Sequence, residues 1–161
     1  MCLIVDANVF ALVFDEKAKG HDRFVPIYNW IWDGWGGRLI YGGTKYKKEI
    51  AFGRGKFLGI LGELERKGRL LPILPDSRVD RVAEQTKKKV NDPDFDDEHI
   101  VALVAISKCC VVCTDDKRSF PFLMRSDLYP KGVKPPRIYQ YKRHATLCCA
   151  ENVVDACKEI K

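Results

Sequence analysis

The sequence predicts a three-layer α/β/α fold with a central, mostly parallel sheet. Along its 161 residues, short apolar runs rich in β-branched residues alternate with longer segments whose apolar residues recur at helical spacing. Two of the apolar runs end directly on carboxylates, at the position where the strands of open α/β sheets place ligand-binding side chains. No internal repeat or linker interrupts the pattern, so residues 1–161 are expected to form a single domain.

The amino-acid composition is that of a globular protein and says little about function. With 46% hydrophobic and 31% charged residues, the chain is not expected to be disordered over long stretches. A net charge of +6 is compatible with a polyanionic partner, although many proteins that bind no polyanion carry as much. No apolar run reaches the ~18 residues that a membrane span requires, so no membrane partner is expected.

The seven cysteines are expected to be reduced thiols. Most lie inside apolar runs, and no signal peptide is predicted because the first apolar run stops at Asp6. Both features indicate a cytoplasmic protein. The spacing of Cys110 and Cys113 is that of half a zinc site, but no second pair lies at zinc-finger distance, so buried thiols are favoured over zinc.

The first half of the chain begins with a buried strand and the acid that ends it. Residues 3–5 form an apolar, partly β-branched run, Asp6 follows, and residues 9–14 supply the apolar face of a helix. The elements expected next are a helix with Phe24, Ile27, Tyr28 and Ile31 on one face, a strand at 38–41 and a basic helix at 45–50 capped by Thr44. A helix at 57–67 with a stripe of Leu58, Leu61 and Leu64 should follow, and then an edge or short strand at 70–75.

The second half contains the most acidic stretch and the most apolar helix. A helix at 79–90, capped by Asp76 or Ser77, precedes an acidic segment at 91–99. Residues 100–106 are apolar nearly all round, which predicts a buried helix with acids at its N-terminus. The remaining elements are expected to be a buried strand at 109–113, a helical turn at 120–123, a loop at 130–136, a strand at 137–141 and a closing helix at 145–160.

Carboxylates are expected to meet at one edge of the sheet. Asp6 follows the first strand, Asp115 and Asp116 follow another, and Asp96 and Asp97 open the buried helix. Taken singly, each acid is better explained as a helix cap or a turn residue. Taken together, they favour a metal site, because carboxylates a few ångströms apart need a cation to stay ionised. Oxygen ligands of this kind select Mg²⁺ or Mn²⁺, which activate water and bind phosphate.

The same residues carry a resemblance to a known family. The chain contains Ile4-Val5-Asp6-Ala7-Asn8-Val9, a mid-chain Glu49, Asp97-Glu98-His99-Ile100-Val101-Ala102-Leu103 and Val112-Cys113-Thr114-Asp115-Asp116. In order and spacing these segments resemble the PIN-domain nucleases, over most of the chain. The strand that ends on Asp, and the Asp-x-x-Ile-x-Ala helix followed by strand-Thr-x-Asp, are the more specific parts. The resemblance implies a small α/β/α domain, an acidic pocket for Mg²⁺ or Mn²⁺, and hydrolysis of phosphodiester bonds, usually in RNA.

The resemblance also implies roles for individual residues. Asp6 and Asp97 would ligate the metal, with Asp96 as the alternate to Asp97. Asp116 occupies the acid of the Thr-x-Asp motif, and its neighbour Asp115 could share or replace that role. The other expected members of the site are the catalytic acid Glu49, for which Glu63 is a less favoured substitute, and the polar supports Asn8 and Thr114.

Basic residues around Glu49 are candidates for holding RNA. They could bind the phosphate backbone electrostatically, and a solvated basic helix face explains them nearly as well. The set consists of Lys45, Lys47, Lys48, Arg54 and Lys56. For His99, near the start of the buried helix, a place in the core or at the surface is favoured over a place in the site.

Three functions are compatible with these residues. A metal-dependent ribonuclease is favoured, either as a lone enzyme or as a toxin held in check by a partner protein that blocks the pocket, and a homodimer is compatible with either. The alternative is a PIN-like module that binds RNA or protein without catalysis. A phosphohydrolase of the haloacid-dehalogenase type is disfavoured, because that family requires a second Asp where this chain has Asn8.

Overall fold

The structure, a computed structural model, describes residues 2–33, 36–52 and 56–149, leaving aside the side chain of Lys56. It has five β-strands: β1 (Cys2–Val5), β2 (Arg38–Tyr41), β3 (Leu70–Pro72), β4 (Val111–Cys113) and β5 (Arg137–Tyr139). The α-helices are α1 (Ala7–Phe14), α2 (Val25–Trp32), α3 (Thr44–Phe52), α4 (Lys56–Arg66), α5 (Asp76–Val90), α6 (Glu98–Ser107) and α7 (Phe120–Leu123). Short 3-10 helices lie at His21–Arg23, Ser126–Leu128 and Lys142–Leu147.

The strands form one sheet in the order β3-β2-β1-β4-β5, and every neighbouring pair is parallel. Helices complete a three-layer α/β/α arrangement, so the predicted fold class is confirmed. The strand order changes direction between β1 and β4, where Val5 lies opposite Cys113. At such a switch point the connections leave the two strand ends in opposite directions and open a crevice beyond them. The fold therefore provides one preferred place for a ligand, beyond the ends of β1 and β4.

The centre of the core lies where β1 and α6 meet. All four residues of β1 are buried, which fits a strand covered on both faces. Helix α6 packs against β1 and β2 and is covered in turn by α5. Because α6 is apolar nearly all round, it is buried from Glu98 to Val104, as the sequence predicts.

The proline-rich strand lies at the sheet edge. Among the described residues β3 pairs with β2 alone, with Pro72 opposite Tyr41. A proline lacks the N–H that a central strand would donate on both sides, so it is tolerated here. The prediction of an edge strand is confirmed, although the strand ends at Pro72 and not at residue 75.

Four predictions about the chain need correction. Helix α5 begins at Asp76 with Pro75 at its N-cap and has no side-chain capping hydrogen bond, so neither Asp76 nor Ser77 caps it as predicted. Leu58 is 53% exposed, so the stripe on α4 consists of Leu61 and Leu64 alone. Residues 142–147 form a 3-10 helix where the start of the closing helix was expected, and the rest of that prediction, from residue 150, lies outside the described residues. Cys2 is disulfide-bonded, so the prediction of reduced thiols is wrong there. It holds for five other cysteines, which are Cys109, Cys110, Cys113, Cys148 and Cys149.

No helix within the described ranges is long and apolar enough to cross a membrane.

Tyr46 links α3 to the end of the central strand. Its buried hydroxyl donates to the carbonyl of Val5, one residue before Asp6. We expect Tyr46→Phe to lower the free energy of unfolding by about 1–2 kcal/mol, because a buried acceptor loses its donor. Urea unfolding measures the change.

The matched control is Tyr28→Phe, whose hydroxyl donates to Glu16 Oε1 at 3.0 Å in an exposed position. It should cost less than about 0.5 kcal/mol. Equal losses in the two variants would show that the Tyr46–Val5 contact contributes nothing specific to stability.

Candidate active site

The predicted acids reach the switch point from both strands. Asp6 follows β1, and its backbone N–H donates to the carbonyl of Cys113 at 2.9 Å. Thr114, Asp115 and Asp116 follow β4 directly. The N-terminus of α6 brings Asp97 to the same place, since the charges of Asp6 and Asp116 both act on its carboxyl.

Asp6 is a buried carboxylate held by hydrogen bonds. Its Oδ2 accepts from Thr114 Oγ1 at 2.7 Å and from Asn8 Nδ2 at 2.9 Å. Its Oδ1 accepts from the backbone N–H of Asn8 at 3.3 Å, so Asp6 also caps α1. The two interpretations of Asp6, cap and site residue, are thus compatible in one side chain. Asn8 and Thr114 lie against Asp6, where polar supports were expected.

Burial dominates the electrostatics of Asp6. Loss of solvent raises the pKa of Asp6 above its ordinary value, and the charge of Glu49 raises it further. The hydrogen bonds from Thr114 and Asn8, and the neighbouring His99, oppose the rise. Asp6 is therefore a carboxylate whose ionised form is costly because of burial, and whose orientation is fixed by hydrogen-bond donors.

Asp97 carries the least compensated charge of the site. It occupies the N-cap position of α6, but its side chain makes no capping hydrogen bond. Burial, followed by the charge of Asp6 and to a smaller extent those of Asp96 and Asp116, raises the pKa of Asp97 to about 7, with His99 opposing. Near neutral pH this carboxyl is balanced between its protonated and ionised forms.

The structure distinguishes Asp97 from its alternate. Asp96 is exposed, and its backbone carbonyl accepts from Lys45 Nζ. Asp97 is half-buried and electrostatically coupled to Asp6. Of the two, Asp97 is the acid that faces the other carboxylates.

Asp115 is engaged in an ion pair with Arg23. Arg23 Nη1 and Nη2 donate to its two oxygens at 3.0 and 2.8 Å, and the same guanidinium donates to the carbonyl of Gln140. The guanidinium lowers the pKa of Asp115. This bidentate pair ties the end of β4 to the 3-10 helix at His21–Arg23.

Asp116 adjoins the acids and has a cation of its own. Its backbone N–H donates to Thr114 Oγ1 at 3.1 Å, which joins it to the network around Asp6. Arg118 donates to its carboxylate from Nη2 at 2.6 Å and from Nε at 3.1 and 3.2 Å. The Arg118 guanidinium, which is largely exposed, lowers the pKa of Asp116.

Glu49 lies beside a buried histidine. Glu49 Oε2 is 3.0 Å from Nε2 of His99, a ring that is 2% exposed, although the alignment is not that of a hydrogen bond. Its charge raises the pKa of Asp6, so Glu49 is part of the acidic edge. Glu63, the less favoured substitute, is exposed on α4 beside Arg66 and Lys67.

The basic residues predicted to bind RNA are largely occupied within the protein. Lys45 Nζ lies 3.0 Å from Glu98 Oε1 and 4.0 Å from Glu49 Oε1. Lys47 Nζ lies 2.7 Å from Asp76 Oδ2. Lys48 is exposed and makes no ion pair within the described residues. Arg54 and the side chain of Lys56 lie outside those residues.

The donor chemistry suits a hard divalent cation, but the carboxylates do not form a closed set of ligands. The raised pKa of Asp97, caused in part by Asp6 and Asp116, reports like charges that a cation would relieve. However, no three His, Cys, Asp or Glu side chains within the described ranges converge closely enough to hold a metal ion. Asp116 is bonded to Arg118, so a cation held by all three acids would compete with this guanidinium.

Sequence reasoning missed two residues that contact the predicted acids, and it favoured a place outside the site for a third, His99, which is buried as one of the favoured alternatives had it. Arg23 and Arg118 are the partners of Asp115 and Asp116, and His99 is the neighbour of Glu49. Arg118 lies two residues after its partner, a short spacing that could have been noticed. The pairing of Arg23 with Asp115 spans 92 positions and leaves no local signal.

We expect Asp97→Asn to remove a pH dependence of stability. The pKa of Asp97 is about 7 in the folded protein against 3.8 for an ordinary aspartate, so the folded state holds this proton more tightly. The resulting stabilisation is complete below about pH 4 and is lost as pH rises through 7. At pH 8 without divalent ions the variant should be more stable than the wild type by about 1–2 kcal/mol, allowing for solvent screening at this half-buried carboxyl.

Urea unfolding in EDTA at pH 4.5 and pH 8 measures this difference, which should largely disappear at the lower pH. Asp94→Asn, an exposed acid of the same stretch, is the control and should follow the wild type. Parallel pH profiles for the wild type and Asp97→Asn would contradict the raised pKa of Asp97.

Comparison with known proteins gave no match: no family model, no curated protein and no solved structure matches this chain.

Proposed function

We propose that this chain is a metal-dependent endoribonuclease that hydrolyses phosphodiester bonds in RNA, with Mg²⁺ or Mn²⁺ as its cofactor. The observation that carries the proposal is the buried Asp6 carboxylate at the switch point, which is held by Thr114 and Asn8 at 2.7 and 2.9 Å and joined to Asp116 through Thr114 Oγ1. The charges of Asp6 and Asp116 also raise the pKa of the neighbouring Asp97. Several carboxylates that destabilise one another in a crevice are costly to maintain unless a bound ligand uses them. The motif resemblance to PIN-domain nucleases supports the same assignment.

Each acidic residue has a role in the proposed reaction. Asp6, Asp97 and Asp116 would hold the ion. When bound, such an ion lowers the pKa of a water molecule and neutralises charge that builds on the phosphate. Asn8 and Thr114 fix the orientation of Asp6 through its Oδ2. Glu49 supplies a further carboxylate at the same edge and is the acid available to accept a proton.

Cleavage of RNA tests this function directly. We expect the wild type to cleave a mixed RNA pool in Mn²⁺ and not in EDTA. Asp6→Asn and Asp97→Asn should each lower the rate by about a hundred-fold or more, because each removes a charged ligand. Gel analysis of labelled RNA measures the rates, and circular dichroism establishes that the variants are folded.

Asp94→Asn provides the matched control, since it removes one exposed acid from the same region without touching the proposed ligands. It should cleave as the wild type does. If Asp97→Asn retains full metal-dependent activity, the assignment of the ligands is wrong.

Asp115→Asn and Asp116→Asn separate the two neighbouring acids. Asp115 is paired with Arg23, so its loss should leave cleavage within about two-fold of the wild type and lower stability by about 1 kcal/mol. Asp116→Asn should abolish cleavage with little change in stability, since its partner Arg118 is largely exposed. Paired rate and urea-unfolding measurements test this, and the reverse pattern would assign the ligand to Asp115.

A binding module without catalysis is the second candidate function. Arg118 favours it, because a guanidinium bound to Asp116 already compensates one of the proposed ligands. The two candidates differ in a single result, which is Mn²⁺-dependent cleavage by the wild type. An inhibitory partner protein, as for a toxin, a homodimer and a cytoplasmic location remain predictions from the sequence.

A further inference from the structure

The basic residues of α3 are poor candidates for holding RNA beside the acids. Two of the three described lysines there, Lys45 and Lys47, are paired with acids of this chain. A polyanion would have to displace those partners, which reduces the net gain from each contact. Cations without an acidic partner are therefore better candidates for binding phosphate.

Such cations lie on the opposite side of the acids, beyond β4 and β5. Lys117, Lys142 and Arg143 are exposed and make no ion pair within the described part of the chain. Lys117 follows the acids of β4 and is close enough to lower the pKa of Asp115. Lys142 and Arg143 follow Tyr141, two residues beyond the end of β5. Because β5 is the parallel neighbour of β4, these residues share the carboxyl edge of the sheet with Asp115 and Asp116.

Tyr141 organises the cations around it. The Cζ atoms of Arg143 and Arg23 each lie 4.9 Å from the centre of its ring. Arg23 is fixed in turn by its pair with Asp115 and by the carbonyl of Gln140. The Tyr141 ring thus contacts both Arg23, which is bonded to the acidic end of β4, and the exposed guanidinium of Arg143. The contact with the ring orders the Arg143 guanidinium before any ligand binds.

We propose that single-stranded RNA is bound on this surface, which consists of Lys117, Tyr141, Lys142 and Arg143 and which we call the basic edge surface. The inference rests on the proposed ribonuclease function for its ligand and adds where the RNA backbone lies. The strand runs from the acids at the switch point across the ends of β4 and β5.

The composition of the surface favours a single strand over a duplex. Two lysines and an arginine provide separated contacts to phosphates, and the planar guanidinium of Arg143 offers a face for an unstacked base. Bases of a duplex are stacked on one another and cannot use that face. Each phosphate contact to a single strand contributes about 0.7 to the dependence of log K on log salt concentration.

Binding can be measured separately from cleavage, by fluorescence anisotropy of a labelled 12-nucleotide single-stranded RNA in EDTA at several salt concentrations. For Lys117→Ala/Lys142→Ala/Arg143→Ala we expect affinity to fall about thirty-fold or more at low salt and the salt slope to fall by about 2. Tyr141→Leu should weaken binding about five-fold or more, whereas Tyr141→Phe should bind as the wild type, because the ring and not the hydroxyl orders Arg143.

The matched control is Arg81→Ala/Lys131→Ala/Lys134→Ala, which removes one arginine and two lysines from exposed positions on α5 and in the loop before β5, where they make no ion pair within the described residues. It should bind within about three-fold of the wild type. Equal weakening by the two triple variants would overturn the assignment, since net charge alone would then explain binding. Equal affinity for a duplex of the same sequence would overturn the single-strand preference.

The failure of this inference is distinguishable from the failure of the proposed function. We call Lys117→Ala/Lys142→Ala/Arg143→Ala the basic-edge variant. If the wild type cleaves RNA in Mn²⁺ and this variant binds RNA like the control, the proposed RNA-binding surface is wrong and the nuclease assignment stands. If the basic-edge variant alone loses binding while the wild type never cleaves, the surface is supported and the chain binds RNA without hydrolysing it.

Discussion

The junction between the ends of β1 and β4 is the constraint on which the rest of this structure depends. Asp6 is joined to β4 through its backbone N–H, which donates to Cys113, and through its carboxylate, which accepts from Thr114. These bonds hold a carboxylate in a buried position that loss of solvent alone would disfavour. The strand order places this junction at the point where the connections diverge, which is the position at which open parallel sheets bind ligands.

Three of the acids around this junction lie within ion-pair distance of a basic side chain, whereas Asp6 and Asp97 do not within the described residues. Asp115 and Asp116 each have an arginine, and Glu49 has His99 and Lys45 nearby. The carboxylate of Asp97 makes no hydrogen bond or ion pair within the described residues, and three neighbouring carboxylates act on it. An uncompensated acid at the N-terminus of a buried helix is a local cost, which favours a role for Asp97 in the proposed site.

The acidic and basic parts of the edge serve different purposes in the proposed function. The acids lie at the ends of β1 and β4 and at the start of α6, all rigid elements of the core. The basic edge surface lies just beyond β4 and β5 and is tied to the acids by Arg23, which contacts both Asp115 and Tyr141. A substrate that bridges the two parts would be positioned by contacts to its backbone and cleaved at the acids, without any contact that reads a base.

The sequence alone determined the sheet, its parallel strands and the strand ends that carry Asp6 and Asp116, because apolar periodicity and the residues that end it are local properties. It also indicated the buried helix that begins beside Asp97. Only the tertiary structure decided the partners: Arg23 for Asp115, His99 for Glu49, and the internal ion pairs of Lys45 and Lys47. It likewise exposed Leu58, which helical periodicity alone had placed in the core. Long-range pairing leaves no periodic trace in a sequence, since it depends on how the elements pack and not on the order of residues within them.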